Sequence, residues 1–142
     1  LYCPYFWMWQ YWREYEDYDD NYRDDDLELE YEEDELVRQI TQEVNRIMRL
    51  VDTEFANVYA ELRRYGMSRN ITRLLFRAIV NYVVRNAKNY TGNINQKTDA
   101  LFISLRRDMP WIFATFIGFR VPARRTNEII RDLIKFTLEN IK

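Results

Sequence analysis

Residues 111–119, Trp-Ile-Phe-Ala-Thr-Phe-Ile-Gly-Phe, are nine consecutive positions without a charge and with four aromatic rings. A segment that is apolar all round is either buried on every side or placed in lipid. With Met109 and Pro110 the stretch reaches eleven residues, well short of the roughly 20 that a membrane-spanning helix needs. It is therefore expected to be the buried central helix of a globular core. Pro110 suits a first helical turn, where its missing N–H is not needed, and Gly118 with Pro122 is expected to mark the exit.

The rest of the chain supplies helices to surround it. From Leu36, the residues Ile40, Val44, Ile47, Val51, Phe55, Val58 and Leu62 recur at steps of three and four, which predicts one long amphipathic helix. Asp34 is its expected cap and Gly66 its expected terminator. The average step exceeds the strict 3.5 of a coiled-coil seam, so packing inside a bundle is favoured. Asn70 is the expected cap of a second helix, with Ile71, Leu74, Leu75, Ala78, Ile79, Tyr82 and Val83 inward. Thr98 or Asn95 starts a third, and Thr126 or Asn127 caps a last one whose inner face is Ile129, Ile130, Leu133, Ile134, Thr137 and Ile141. The fold class is all-α: a single bundle of about five helices around the apolar one, with an acidic-aromatic N-terminal extension.

Charge divides the chain more sharply than its net value of -2 implies. Residues 1–36 hold fourteen acids against two arginines, net -12, while residues 37–142 hold nine acids against nineteen bases, net +10. Residues 1–35 are accordingly read as an acidic-aromatic segment, ligand-like or disordered, and 36–142 as a basic helical domain. Three tryptophans, Trp7, Trp9 and Trp12, fall within six residues. They are read as anchors that dock in a groove; an interfacial membrane anchor and an element folded into the domain are the other readings. Asp17, Asp19, Asn21, Arg23, Asp25 and Glu28 have calcium-loop spacing, but Tyr22 stands where the sharp turn needs glycine, so no metal is expected.

The composition excludes much chemistry. Histidine is absent, and a single cysteine, Cys3, rules out both an internal disulfide and a Cys/His zinc site. Ser68 and Ser104 lie in no nucleophile elbow, and glycines at 66, 92 and 118 form no phosphate-cradling loop. Carboxylate pairs among Asp99, Asp108 and Asp132 are explained equally well by caps and solvated faces. The expectation is a non-enzyme without cofactor. The triplets at Asn70 and Asn89 that match the glycosylation pattern are read as chance, and an intracellular location, cytoplasm or nucleus, is expected. Because the chain starts at Leu1, it is read as a fragment or processed product.

The basic residues carry the functional lead. Arg69, Arg73, Arg77, Arg85 and Lys88 follow helical steps along the second helix, and Arg106, Arg107, Arg120, Arg124 and Arg125 extend that stripe if the bundle brings those ends together; a solvated face is the competing reading. Arginine suits bidentate contacts to carboxylate or phosphate. The expected function is protein–protein interaction: a basic surface or groove receives an acidic-aromatic peptide, with residues 1–35 as a candidate in cis or in trans. A nucleic-acid-binding domain masked by its own acidic tract is the second reading. A structural subunit or homo-oligomer is the third, and a membrane partner is not expected.

The run Arg107-Asp108-Met-Pro-Trp111-Ile-Phe-Ala-Thr-Phe slightly resembles the Arg-Asp, Trp and buried apolar helix at the groove of Bcl-2-like proteins. That resemblance implies a helical bundle that binds amphipathic peptides. It covers about ten residues, lacks the family's Asn-Trp-Gly-Arg core and is one residue short in spacing, so no site residue is carried over.

Overall fold

The acidic run does not delay helix formation. In this computed structural model, which describes residues 26–142 and their side chains from Asp34 onward, α1 spans Asp26–Glu54. The helix runs straight through the expected cap at Asp34. Glutamate is a good helix former, and acids in the opening turns meet the positive end of the macrodipole, which outweighs like-charge repulsion. The chain divides into two contact units, residues 1–37 and 38–142, and the second holds the hydrophobic core. The expectations for Trp7, Trp9, Trp12 and the calcium-like spacing from Asp17 to Asp25 lie outside the described residues.

Within that unit, Val44, Ile47, Met48 and Val51 make the inner face of α1, and Phe55 continues it just past the helix end. The expected single long helix is bent at Phe55, whose φ of -102° and ψ of 19° separate α1 from α2, Ala56–Arg64. The hydrogen bonds persist across the bend, with Phe55 N–H donating to Val51 O at 2.8 Å and Tyr59 N–H to Phe55 O at 3.0 Å. The Phe55 ring meets Phe76 and Phe136 edge-on at 6.1 and 5.4 Å. Gly66, at φ 91°, ends α2 as the spacing predicts. Met67 N–H reaches Leu62 O and Gly66 N–H reaches Arg63 O, a Schellman closure with both Leu62 and Met67 fully buried.

Helix α3 spans Arg69–Asn86, followed by a single 3-10 turn at Ala87–Asn89. Helices α4, α5 and α6 span Ile94–Asp108, Pro110–Gly118 and Ala123–Asn140. Three starts come earlier than expected. Ser68, not Asn70, caps α3, accepting from Ile71 N–H at 3.3 Å. Asn93 forms a capping box with Gln96 at α4, ahead of Asn95 and Thr98. Helix α6 begins after Pro122, ahead of Thr126 and Asn127. In each case a competent starter upstream captures the helix first.

The central element is α6, not the charge-free helix. Ile129, Ile130, Leu133, Ile134 and Thr137 of α6 are buried, and α6 packs against α3, α4 and α5. It lies antiparallel to α1–α2. Arg125 pairs with Glu61 at one end, and at the other Arg46 bridges Glu43 and the Asn140 carbonyl. Helix α5 buries Ile112, Phe113 and Phe116 only; Trp111 is 47% exposed and Ile117 58%. An apolar composition sets what a helix tolerates, whereas burial requires neighbours on every side. Helix α5 packs on α4 and α6, and its outer face is left to solvent.

The exit from α5 also differs from expectation. Gly118 is its last helical residue, and the left-handed position falls on Arg120 at φ 66°. Val121 N–H donates to Phe116 O at 3.1 Å and Arg120 N–H to Ile117 O at 2.9 Å, so the closure is a second Schellman motif with arginine in the glycine position. A side chain pays a steric cost there that glycine avoids. Arg120→Gly is expected to stabilise the protein by about 0.5–1 kcal/mol in denaturant unfolding. A destabilised variant would show that the Arg120 side chain makes a compensating contact.

Candidate binding surface

The arginines of α3 do not form one straight stripe. Each step of four residues advances about 40° around the helix, and Arg69 and Arg85 lie about 24 Å apart along its axis. Their surroundings differ accordingly. The Arg69 guanidinium lies 5.5 Å from the centroid of the Tyr59 ring. Arg73 Nε donates to both oxygens of Asp52 at 3.3 Å. Arg77 is half-buried and has no carboxylate partner among the described residues. Arg85 donates to Asn81 Oδ1 at 3.2 Å, and Lys88 is exposed in the 3-10 turn. Arg85 and Lys88 therefore belong to the far end of α3, away from Arg69.

What gathers at the near end is a different set. The last turn of α2 carries Arg63 and Arg64, and these with Tyr59, Ala60 and Arg69 line a shallow depression of about 350 Å³. The local sequence brings them together: the Gly66 turn reverses the chain and Ser68 starts α3 at once, so Arg69 returns beside Arg63 and Arg64. The turn between α5 and α6 joins the same end. Phe119 Cδ1 lies 3.9 Å from where a Gly66 Cβ would stand, and Arg120 follows it. Arg125 pairs with Glu61 at 3.0 Å and Glu128 at 3.2 Å, and Arg124 with Glu128 at 3.5 Å.

The pole so formed contains two kinds of arginine. Arg73, Arg124 and Arg125 are matched by carboxylates. Arg63, Arg64, Arg69 and Arg120 have no carboxylate partner among the described residues and are exposed. Tyr59 is the aromatic wall of the depression, with its hydroxyl donating to Asp52 Oδ1 at 2.8 Å. Burial, then the bond to Asp52, pushes the Tyr59 phenol above its ordinary value, so it stays neutral and presents a ring face to cations. Asp52 thus serves as a strut for Tyr59 and Arg73 and leaves the three guanidiniums around Tyr59 uncompensated.

Arg63 and Arg64 are absent from the set expected from sequence. Their signal was present as Arg63-Arg64-Tyr-Gly-Met-Ser-Arg69, three arginines flanking a glycine turn and a helix cap. Two of the three carboxylates considered for acid–base work are engaged elsewhere, and the third, Asp132, is exposed on α6. Asp108 accepts from Tyr82 Oη at 2.7 Å and from Arg107 Nε at 3.1 Å, bonds that hold its carboxyl below the usual range, Arg107 contributing most. Asp99 pairs with Arg131. Among the described residues no group of histidine, cysteine and carboxylate side chains is placed to hold a metal ion, and no helix is long and apolar enough to cross a membrane. Comparison of the chain with protein-family models, with curated proteins and with solved structures returned no match.

Proposed function

We propose that this is a non-enzymatic interaction domain that binds an acidic-aromatic peptide at the basic pole. The observation that carries the reading is the set of three exposed guanidiniums, Arg63, Arg64 and Arg69, around the Tyr59 ring without a carboxylate among the described residues. Each charge-assisted hydrogen bond from such a group to a partner carboxylate contributes about 1.5–3 kcal/mol. The Tyr59 ring, buried against Phe76, seats the Arg69 guanidinium and so fixes where a partner carboxylate meets it. Sequence of the matching kind occurs in this chain, where Glu14-Tyr-Glu-Asp-Tyr-Asp-Asp20 alternates rings and acids.

The test is a titration of a fluorescein-labelled peptide carrying residues 1–25 into the full chain, followed by anisotropy at several salt concentrations. Saturable binding that weakens as salt screens the pole is the expected result. Because the chain's own acidic segment competes at high effective concentration, the titration is repeated with a full chain whose acids from Glu14 to Asp20 are changed to the matching amides; absence of binding to both at low salt sinks the reading. A single-stranded oligonucleotide that displaces the peptide and binds more tightly, with a steep salt slope, would replace it with the nucleic-acid one.

A further inference from the structure

We infer that the outer face of α5, formed by Trp111, Ala114 and Ile117, is the docking site for the aromatic side chains of the acidic partner whose carboxylates the pole receives. This rests on the proposed function and adds the part of the partner that the arginines do not explain. The face is apolar by construction. The one polar side chain within α5, Thr115, turns its hydroxyl back to the Trp111 carbonyl at 2.7 Å. Apart from its chain neighbours and the helix's own backbone, nothing among the described residues lies within 4 Å of where a Gly118 Cβ would be, which leaves open space beside Ile117 for a ring. Trp111, Ala114 and Ile117 follow one another at steps of three along one side of the helix, so they form a contiguous patch rather than scattered single residues.

Charge identifies the occupant. Toward the first half of α5 the guanidinium of Arg106, from the last turn of α4, stands 6.0 Å from the centroid of the buried Phe113 ring; beyond the C-terminal end Arg120 is exposed in the turn that reaches the pole. The nearest acid in sequence, Asp108, is held by Arg107 and Tyr82. A partner with rings flanked by acids is matched at both ends. A second copy of this face would set Arg106 and Arg120 against their own kind, which costs energy. From Trp111 to Ile117 the axis advances about 9 Å, the reach of about three extended residues. Two partner rings two residues apart, on the same side of an extended segment and about 7 Å from each other, therefore fit within the face, and buried aromatic anchors carry most of the energy of such contacts.

The experiment uses the full chain with Trp7→Phe, Trp9→Phe and Trp12→Phe, which leaves Trp111 as the only tryptophan. The probe is a twelve-residue peptide of alternating glutamate and phenylalanine, unlabelled for emission and labelled for anisotropy. Binding is expected to shift Trp111 emission to the blue and to lower its quenching by acrylamide about twofold or more. Ala114→Glu, at an exposed helical position that tolerates glutamate, is expected to weaken the peptide about tenfold. If the peptide binds and Arg63→Glu/Arg64→Glu removes it, yet Trp111 emission and Ala114→Glu affinity are unchanged, the inference falls while the pole reading stands. If no peptide binds, the pole reading falls and takes the inference with it. If Trp111 emission depends on protein concentration and the mass doubles, a second copy occupies the face and the inference is overturned.

Discussion

Phe116→Ala is expected to cost about 3–5 kcal/mol in denaturant unfolding, while Ile117→Ala, one residue further, costs less than about 0.5 kcal/mol. Both sit in the same charge-free helix and differ only in the direction they face. Phe116 has no exposed surface, whereas Ile117 is 58% exposed. Removing the buried ring leaves a cavity lined by α4 and α6, which pack against α5 and are held by their own contacts elsewhere. Removing the exposed side chain exchanges one solvated surface for another. A loss of 3–5 kcal/mol is a large share of the roughly 5–15 kcal/mol that holds a domain folded, so the Phe116 variant should also lose expression yield. Equal losses at the two positions would mean that the outer face of α5 is covered in the folded protein.

The contrast also shows what the sequence could and could not convey. Periodicity from Val44 to Leu62 placed the buried face of α1 and α2 correctly, because a helix with one dry side must repeat every 3.6 residues. Gly66 was legible because few other residues accept a positive φ. The bend at Phe55 was not, since hydrogen bonds continue through it and its packing against Phe76 and Phe136 comes from positions 21 and 81 residues away. The place of α5 was hidden for a related reason. Its composition reports no preference for water on any side, but among the described residues it packs chiefly on α4 and α6, and the final helix, with an ordinary amphipathic pattern, takes the central position. On the surface, spacing alone joined Arg69 to Arg85. Helical winding separates them, while a chain reversal that spacing does not describe brings Arg63 and Arg64 to Arg69.

Reversing Arg63 and Arg64 together is expected to lower affinity for the acidic-aromatic peptide about 100-fold at low salt, the equivalent of losing one to two charge-assisted bonds and adding repulsion. The effect should shrink as salt rises, because these groups are exposed and screened. They are the informative pair because neither has an internal carboxylate to lose among the described residues. Arg73 and Arg125, by contrast, hold Asp52 and Glu61, so a glutamate at either sets two carboxylates together and mixes a folding defect with a binding one. Charge at the end of α2 also interacts with its dipole, and reversal there costs about 0.3–1 kcal/mol per residue. Arg63→Gln/Arg64→Gln removes the binding charges with a smaller penalty, and should weaken the peptide in the same salt-dependent way with an unfolding midpoint near that of the parent. A glutamine pair that binds as tightly as the parent at low salt would show that the pole's free guanidiniums are a solvated surface and nothing more.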